Sequence, residues 1–181
     1  MRVIAGSAKG TRLAPVPAGT RPLSDRAREG VFSSLGEAVR GAAVLDLFAG
    51  TGAAGIEALS RGATRAVFVD SAPGAARTIE LNLARTRLAG SGEVRRQDVR
   101  RAIRSNLGQF DLIILDPPYA LPGPELDEVM GAIEGSGMAA PGGRVVLTRS
   151  TKSYTPVIPV NWLVERRLSY GDTVVFVFQL P

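Results

Sequence analysis

The chain has 181 residues, of which 45% are hydrophobic and 22% charged, a composition typical of one globular domain with a substantial core. The absence of cysteine and histidine excludes disulfides, a thiolate nucleophile, a histidine base and Cys/His metal sites, and we expect no bound metal. The net charge of +5 comes almost entirely from arginine and suits a polyanionic partner, although a biased composition alone gives the same excess.

Charge is distributed unevenly along the chain. Residues 1–30 carry a net charge of +4 and residues 85–104 of +5, whereas residues 105–150 carry −4. Two basic segments around an acidic one favour a polyanion that approaches from one side, although scattered surface charge is the alternative. No apolar run approaches the roughly 18 residues of a membrane-spanning helix, and residues 1–10 lack a signal-peptide core. We therefore expect a cytoplasmic protein without membrane contact.

The first predicted element is a small β-extension over residues 1–23, ahead of the main domain, residues 24–181. Val3-Ile4 and Arg12-Leu13 are predicted to pair around the glycine-containing turn 6–10. Three prolines then prevent regular structure up to residue 22.

From Ser24 onward the pattern predicts an α/β fold. Ser24 is a predicted N-cap, and the residues that follow keep helical spacing of apolar positions: Ala27, Val31 and Leu35. Apolar strands then alternate with helices, the predicted strands being 44–48, 66–70, a weak one ending near 98, 112–115 and 145–147. Such strands predict a parallel sheet covered by helices on both faces. Segments 162–168 and 173–178 flank a tight turn without a helix between them, so a terminal antiparallel hairpin is expected.

A glycine-rich loop follows the first strand. Gly50, Gly52 and Gly55 form a G-x-G-x-x-G pattern that leads into a helix. Such a loop lets a pyrophosphate approach a helix N-terminus, or wraps the amino-acid end of S-adenosylmethionine, or serves only a tight turn. Asp46 favours S-adenosylmethionine, because a carboxylate is unfavourable beside a pyrophosphate but pairs with an ammonium group.

Two further acids end the next predicted strands. Asp70 lies 20 residues after Gly50, and a carboxylate at that position can accept hydrogen bonds from both ribose hydroxyls of either cofactor. Asp98 ends the third strand, where it can accept a hydrogen bond from an adenine amino group. An ordinary loop acid is the alternative for Asp98.

The tetrapeptide Asp116-Pro117-Pro118-Tyr119 directly follows the most apolar strand. Its prolines lack N–H donors and hold their carbonyls along a fixed extended path. The carboxylate and these carbonyls can accept hydrogen bonds from an exocyclic base amine and direct its nitrogen lone pair toward an electrophilic methyl group. Tyr119 can stack on a flipped-out base. This chemistry requires no histidine or cysteine.

The glycine loop together with Asp116–Tyr119 resembles the class I S-adenosylmethionine-dependent amino-methyltransferases. The segments Arg21–Glu29, Leu45–Gly52 and Glu57–Ala63 narrow the resemblance to the RsmD family over nearly the whole chain. The resemblance implies a Rossmann-like fold and methylation of N2 of one guanine in 16S ribosomal RNA, within the assembled or assembling small subunit. We expect the chain to act as a monomer.

The resemblance also implies roles for particular residues. Cofactor binding is expected at Asp46, Phe48, Gly50, Gly52, Asp70, Ser71, Asp98 and Val99. The target guanine is expected at the catalytic residues Asp116, Pro117, Pro118 and Tyr119. RNA contacts are expected from Arg2, Lys9, Arg12, Arg21, Arg26 and Arg28.

Three positions depart from the family pattern, and two other functions remain as alternatives. Asp70 stands where the longer Glu is expected, Leu23 replaces a Thr, and residues 148–150 occur where the family often has an acid, so they receive no role. The first alternative is an amine methyltransferase acting on DNA adenine N6 or protein glutamine. The second is a dinucleotide-dependent oxidoreductase or nucleotide-binding module, which leaves Asp116–Tyr119 without a role.

Overall fold

A single seven-stranded sheet organises the molecule. The computed structural model describes residues 1–15 and 23–181. In chain order the elements are α1 (Asp25–Leu35), β1 (Ala43–Leu47), α2 (Ala53–Ser60), β2 (Arg65–Asp70), α3 (Pro73–Thr86), β3 (Gly92–Arg96), α4 (Val99–Arg104), β4 (Phe110–Leu115), α5 (Gly123–Ser136), β5 (Ala139–Ser150), β6 (Leu163–Tyr170) and β7 (Thr173–Gln179). The strand order is β3-β2-β1-β4-β5-β7-β6, in which β7 runs antiparallel to both of its neighbours.

The sheet separates two hydrophobic cores. On one face, α1, α2 and α3 pack residues such as Phe32, Ile56 and Ile79 against the strands. On the other face, α4 and α5 pack with Trp162 against residues such as Leu45 and Phe178. Both faces are therefore covered, as the continuous apolar strands predicted.

Most predicted elements are present with shifted ends. Ser24 accepts a hydrogen bond from the Ala27 N–H as the N-cap of α1, which confirms its predicted role. β1 ends at Leu47 rather than at Phe48, because Phe48 has a left-handed φ of 61° that ends the extended backbone. β5 is much longer than predicted and begins before Pro141. The short helix α4 was not predicted, although Asp98 caps it and Val99, Ala102 and Ile103 form its buried face.

The N-terminal extension forms a narrower hairpin than predicted. Arg2 and Arg12 form a single antiparallel bridge, and the Val3 N–H donates to the Thr11 carbonyl at 3.0 Å. No second ladder pair extends the bridge within residues 1–15. The physical reason is that the next amides along the chain, those of Ile4 and Ala5, donate to a side chain of α2 instead.

That side chain is Glu57, whose fully buried carboxylate joins three parts of the chain. Its oxygens accept hydrogen bonds from the Ile4 N–H at 2.8 Å and the Ala5 N–H at 3.1 Å. The Arg61 guanidinium donates to the carboxylate at 2.7 Å, and the buried Arg28 guanidinium of α1 lies 3.7 Å away. Arg28 also contacts the Arg2 carbonyl and Asp25. The Glu57 carboxylate therefore holds the N-terminal hairpin and α1 against α2.

Two further side chains attach the hairpin along its length. Ser60 accepts a hydrogen bond from the Ala8 N–H at 2.9 Å near the hairpin tip. At the other end, Asn82 of α3 accepts from the Ala14 N–H at 2.7 Å and donates to the Thr51 carbonyl at 3.0 Å. The tip of the hairpin therefore lies at the end of α2, and its open end lies beside the loop that precedes α2.

The terminal hairpin β6–β7 docks on α1 through Tyr170. A Cβ atom added to Gly30 would lie 1.8 Å from the Tyr170 hydroxyl oxygen, so only glycine allows this approach. Among the described residues, no helix is long and apolar enough to cross a membrane.

The Glu57→Gln substitution is expected to lower the free energy of unfolding by about 3–5 kcal/mol, because it removes the buried counter-charge of Arg28 and leaves only the partly exposed Asp25. Urea unfolding monitored by circular dichroism measures this change. Amide hydrogen exchange at Ile4 and Ala5 is expected to accelerate as well, because the two N–H groups donate to different oxygens of Glu57, and glutamine replaces one of these oxygens by an NH2 group that cannot accept.

The matched control is Glu37→Gln. Glu37 pairs with Arg40 at 3.1 Å, but both side chains are exposed, so its loss is expected to change the stability by at most about 0.5 kcal/mol. Equal effects of the two substitutions would contradict the central position given to Glu57.

Candidate cofactor and base site

The glycine loop between β1 and α2 has the backbone geometry that its sequence predicts. Gly50 and Gly52 have φ angles of 56° and 74°, in the left-handed region that favours glycine. At Gly55 the requirement is space, because an added Cβ atom would lie 2.3 Å from the Phe68 ring. An added Cβ atom at Gly50 would meet nothing closer than a carbonyl oxygen at 3.9 Å, so this part of the loop faces open space.

The buried side chain of Asp46 fixes the conformation of this loop through a hydrogen bond. Its side chain is 1% exposed, and its Oδ2 atom accepts a hydrogen bond from the Gly55 N–H at 2.9 Å. Burial raises the pKa of Asp46 to about 8, although the Gly55 hydrogen bond acts in the opposite direction. The negative charges of Asp116 and Asp70 raise it further. The carboxylates of Asp70, at the end of β2, and Asp116, just after β4, therefore lie within electrostatic reach of Asp46 in β1.

The Asp70 carboxylate also fixes the conformation of this loop through hydrogen bonds. Its Oδ2 atom accepts a hydrogen bond from the Gly50 N–H at 2.9 Å, and its Oδ1 atom accepts one from the Ala72 N–H at 2.9 Å. Asp70 is half-buried, and the neighbouring Ser71 is exposed. Each carboxylate oxygen retains a lone pair, so the predicted ribose contacts remain chemically open to Asp70.

Asp98 and Val99 have clear structural roles at the start of α4. The exposed Asp98 carboxylate accepts hydrogen bonds from the Arg100 and Arg101 N–H groups at 2.9 and 3.2 Å. The Val99 side chain is buried in the core. β3 lies next to β2, so Asp98 follows the strand beside the one that ends in Asp70. The adenine contact of Asp98 stays a prediction.

The predicted catalytic tetrapeptide lies at the same edge of the sheet. The Asp116 N–H donates to the Leu47 carbonyl at 3.4 Å, which joins this segment to the start of the glycine loop. Pro117 is buried and Pro118 is exposed. The half-buried Tyr119 reaches across the sheet edge, where its hydroxyl lies 3.4 Å from the Thr173 hydroxyl of β7.

Asp116 has a perturbed carboxyl group. Burial raises its pKa to about 7, and the facing Leu23 N–H and Thr148 hydroxyl lower it in part. Its transition between the neutral and ionised forms therefore falls near neutral pH, which suits a group that accepts a proton or a hydrogen bond during a reaction.

Residues 148–150, which received no role from the sequence, lie beside this tetrapeptide. Leu147 of β5 pairs with Leu115 of β4, and continuing this parallel register places Thr148 beside Asp116 and Arg149 beside Pro117. Both side chains are buried. Burial lowers the pKa of Arg149 from its usual range, against the effect of the neighbouring Tyr119.

The predicted RNA-contacting residues divide into three groups. The side chains of Arg2, Lys9, Arg12 and Arg26 are exposed. Arg21 lies outside the described residues. The prediction for Arg28 is wrong, because its guanidinium is buried and bound to the Arg2 carbonyl, Asp25 and Glu57.

Sequence reasoning also missed the residues that attach the hairpin beside this site. Glu57 and Ser60 belong to a run that served only to indicate the family, and Asn82 was not considered at all. The available signal was the position of polar residues on the buried faces of α2 and α3, where unpaired polar groups are unfavourable. Among the described residues, no cluster of three or more acidic side chains has the arrangement of a metal site.

Similarity to known proteins extends over nearly the whole chain. The family model described as conserved hypothetical protein 95 matches residues 1–179. The Bacillus subtilis protein YlbH is 35% identical over 183 aligned positions, covering 99% of this chain and 98% of that protein. The Escherichia coli ribosomal RNA small subunit methyltransferase D is 30% identical, with coverage of 99% and 89%. The solved structure of the Escherichia coli protein yhhF has a TM-score of 0.87 at 30% identity, with coverage of 99% and 97%.

The wild-type protein is expected to lose stability as the pH rises, and the Asp46→Asn variant is expected to lose less. The pKa of Asp46 in the folded protein, about 8, lies above the ordinary aspartate value of 3.8, so the folded protein retains a proton that the unfolded chain releases. The stabilisation is complete below pH 3.8 and is lost as the pH rises toward 8. Between these two values the free energy of unfolding falls by about 1.4 kcal/mol per pH unit.

Urea unfolding of both proteins at several pH values between 5 and 8 measures this difference. Asparagine retains an oxygen for the Gly55 N–H, so the loop is expected to keep its conformation. Parallel pH profiles of the wild type and the variant would show that Asp46 is ionised in the folded protein.

Proposed function

The chain belongs to the family described as conserved hypothetical protein 95, the RsmD family, and we propose that it transfers a methyl group from S-adenosylmethionine to a guanine N2 amine in 16S ribosomal RNA. The proposal includes action as a monomer in the cytoplasm, on the assembled or assembling small ribosomal subunit. The Escherichia coli relative carries the name of a small-subunit ribosomal RNA methyltransferase, which supports RNA as the substrate.

One observation carries the proposal: two predicted loops meet at a single edge of the sheet. β1 and β4 are neighbours, so the glycine loop and Asp116–Tyr119 both follow carboxyl ends of adjacent strands. The Asp116 N–H donates directly to the Leu47 carbonyl, and the charge of Asp116 raises the pKa of Asp46. A cofactor held on the first loop therefore lies next to a base held on the second.

The residues present fit S-adenosylmethionine. The open face at Gly50 admits a ligand close to the backbone, and Asp70 beside it offers carboxylate oxygens to ribose hydroxyls. The hydrogen bond from Gly55 uses one oxygen of Asp46, which leaves the other for the ammonium group. A positive charge at that position favours the ionised form of Asp46, so cofactor binding is expected to release its proton.

The bound cofactor supplies a methyl group already activated by the sulfonium. The chain's own residues then have to hold the guanine amine in line with that methyl group, about 3 Å from it. Asp116 accepts a hydrogen bond from the amine and takes up the proton that the nitrogen loses as the new N–C bond forms. Tyr119 supports the face of the base.

The exposed basic residues of the N-terminal hairpin extend this site toward RNA. Arg2 and Arg12 face each other in the bridge of the hairpin, whose open end Asn82 attaches beside the glycine loop. Lys9 lies at the far tip, beyond the residues bound by Ser60. Arginine side chains near the site can contact phosphates on either side of the target nucleotide.

Tyr119→Ala tests the reaction and the position of the base together. Small subunits from a strain lacking the gene for this chain are incubated with wild type or variant, and mass spectrometry of nucleosides detects N2-methylguanosine. The wild type is expected to restore one modified site. The variant is expected to be slower by about 5- to 150-fold, the loss that corresponds to one stacking contact.

The cofactor affinity of the variant, measured by isothermal titration, is expected to stay unchanged because Tyr119 contacts the base. The matched control is Tyr154→Ala, which removes an exposed tyrosine bonded to Asp127. Absence of N2-methylguanosine from the wild-type reaction would contradict the proposed function, and normal transfer by the Tyr119 variant would contradict the stacking role.

Reversing the charges of Arg2 and Arg12 to glutamate is expected to weaken binding to the small subunit. We expect the plot of log affinity against log salt concentration to become shallower. The magnitude of its slope is expected to fall by about one to two, one for each lost phosphate contact. The control reverses Arg40 and Arg104, two exposed arginines near the opposite edge of the sheet. Equal salt dependences for both double variants would place the RNA elsewhere.

A further inference from the structure

Arg149 is a buried cation without a partner. Its side chain is 2% exposed, and none of its three guanidinium nitrogens forms a hydrogen bond within the described residues. An unpaired buried charge is unfavourable, so side chains of this kind are retained where a ligand supplies the missing acceptors. The burial lowers the pKa of Arg149, which is a further sign of this cost.

The other arginines in comparable positions are paired. Arg28 is equally buried, and its Nε and Nη1 atoms form no hydrogen bond in the described part of the chain. Its Nη2 atom, however, binds Asp25 and the Arg2 carbonyl, and the Glu57 carboxylate lies 3.7 Å from Nε. Arg144 lies on the same strand as Arg149 and forms two hydrogen bonds with Glu165, at 2.7 and 3.2 Å. The absence of an acceptor at Arg149 is therefore a local property of this end of β5.

Arg149 lies at the proposed base site. It lies two residues after Leu147, the partner of Leu115 at the end of β4, and therefore close to the start of the Asp116–Tyr119 segment. Because side chains alternate along a strand, Arg149 points to the face of the sheet opposite to that of Thr148. Tyr119, the proposed platform for the base, is near enough to influence the pKa of Arg149 electrostatically. Tyr119 is only half-buried, and its hydroxyl has a single long contact, 3.4 Å to Thr173.

We propose that the Arg149 guanidinium recognises the O6 and N7 atoms of the target guanine while Asp116 accepts from its N2 amine. This inference rests on the proposed function. Guanine carries its N2 amine and its O6 carbonyl at opposite ends of one edge, with N7 next to O6. Acceptors at Asp116 and a donor fork at Arg149 match that arrangement. Two parallel hydrogen bonds from arginine to O6 and N7 are the most frequent specific contact with guanine.

The geometry favours the base over a phosphate as the ligand. A flipped nucleotide inserts its flat base into a pocket, whereas its phosphates stay at the protein surface. The Arg149 guanidinium is 2% exposed, so it lies below the surface at which phosphates stay. Adenine carries an amino group where guanine has O6, so it would present donors to the Arg149 donors. Arg149 therefore selects guanine among bases that carry an amine.

The test uses 16S RNA assembled from ligated fragments into small subunits, with either guanosine or 2,6-diaminopurine riboside at the mapped target position. Diaminopurine keeps the 2-amine that accepts the methyl group but replaces O6 by a second amine. The wild type is expected to methylate guanosine at least about tenfold faster than diaminopurine. Arg149→Met is expected to lose that preference through slower transfer to guanosine.

Two further measurements distinguish recognition from a structural role. The melting temperature of Arg149→Met is expected to equal or exceed that of the wild type, because an unpaired buried charge has been removed. Its affinity for S-adenosylmethionine is expected to be unchanged. Arg144→Met, on the same strand, is the control and is expected to keep the preference for guanosine.

The preference for guanosine decides the assignment. Wild-type transfer to diaminopurine at the guanosine rate would overturn it, and so would a variant that keeps the preference or loses activity together with melting temperature. Failure of the wild type on guanosine itself contradicts the proposed function instead, and that result appears before any variant is compared.

Discussion

The buried carboxylate of Glu57 is the interaction on which the arrangement of the N-terminal third depends. It gives two backbone N–H groups of the hairpin an acceptor, and it balances the charge of Arg28. Backbone donors that are covered by protein need a partner, and here one side chain of α2 provides it for a segment more than 50 residues away. The hairpin consequently belongs to the same packed unit as the proposed methyl-transfer site, because the core that contains Val3 and Leu13 also contains Ile56 and Ile79.

Carboxylates that accept from backbone amides recur at the carboxyl edge of the sheet. Asp46 holds Gly55, Asp70 holds Gly50, and Asp98 holds the first turn of α4. Each acid lies at or just beyond the last two residues of a parallel strand, so the topology brings them to one edge although they are far apart in sequence. In-line transfer from a sulfonium depends on position, and these hydrogen bonds fix the loop backbones on which position depends.

The sequence was most informative where local pattern and long-range structure agree. The apolar run 112–115 and the cap at Ser24 were predicted correctly, because burial on both sides of a strand and the needs of a helix start are local signals. Sequence alone failed for Arg28 and Glu57. A charged residue on a helix predicts solvent exposure, and only the path of the hairpin decides that these two are buried together. The same limitation applied to Arg149, whose lack of a hydrogen-bond partner among residues 1–15 and 23–181 is visible only in the folded structure.

The position of β7 between β5 and β6 has a consequence for the biosynthesis of this protein. β5 precedes β7 in the chain by more than 20 residues, so its outer edge has no strand to pair with until β7 emerges. Thr173, the contact of Tyr119, arrives at the same moment. Long-range pairing of this kind is slow and leaves the nascent chain with an unpaired strand edge. The hydroxyl contact of Tyr119, the proposed platform for the base, therefore forms only once β7 has joined β5.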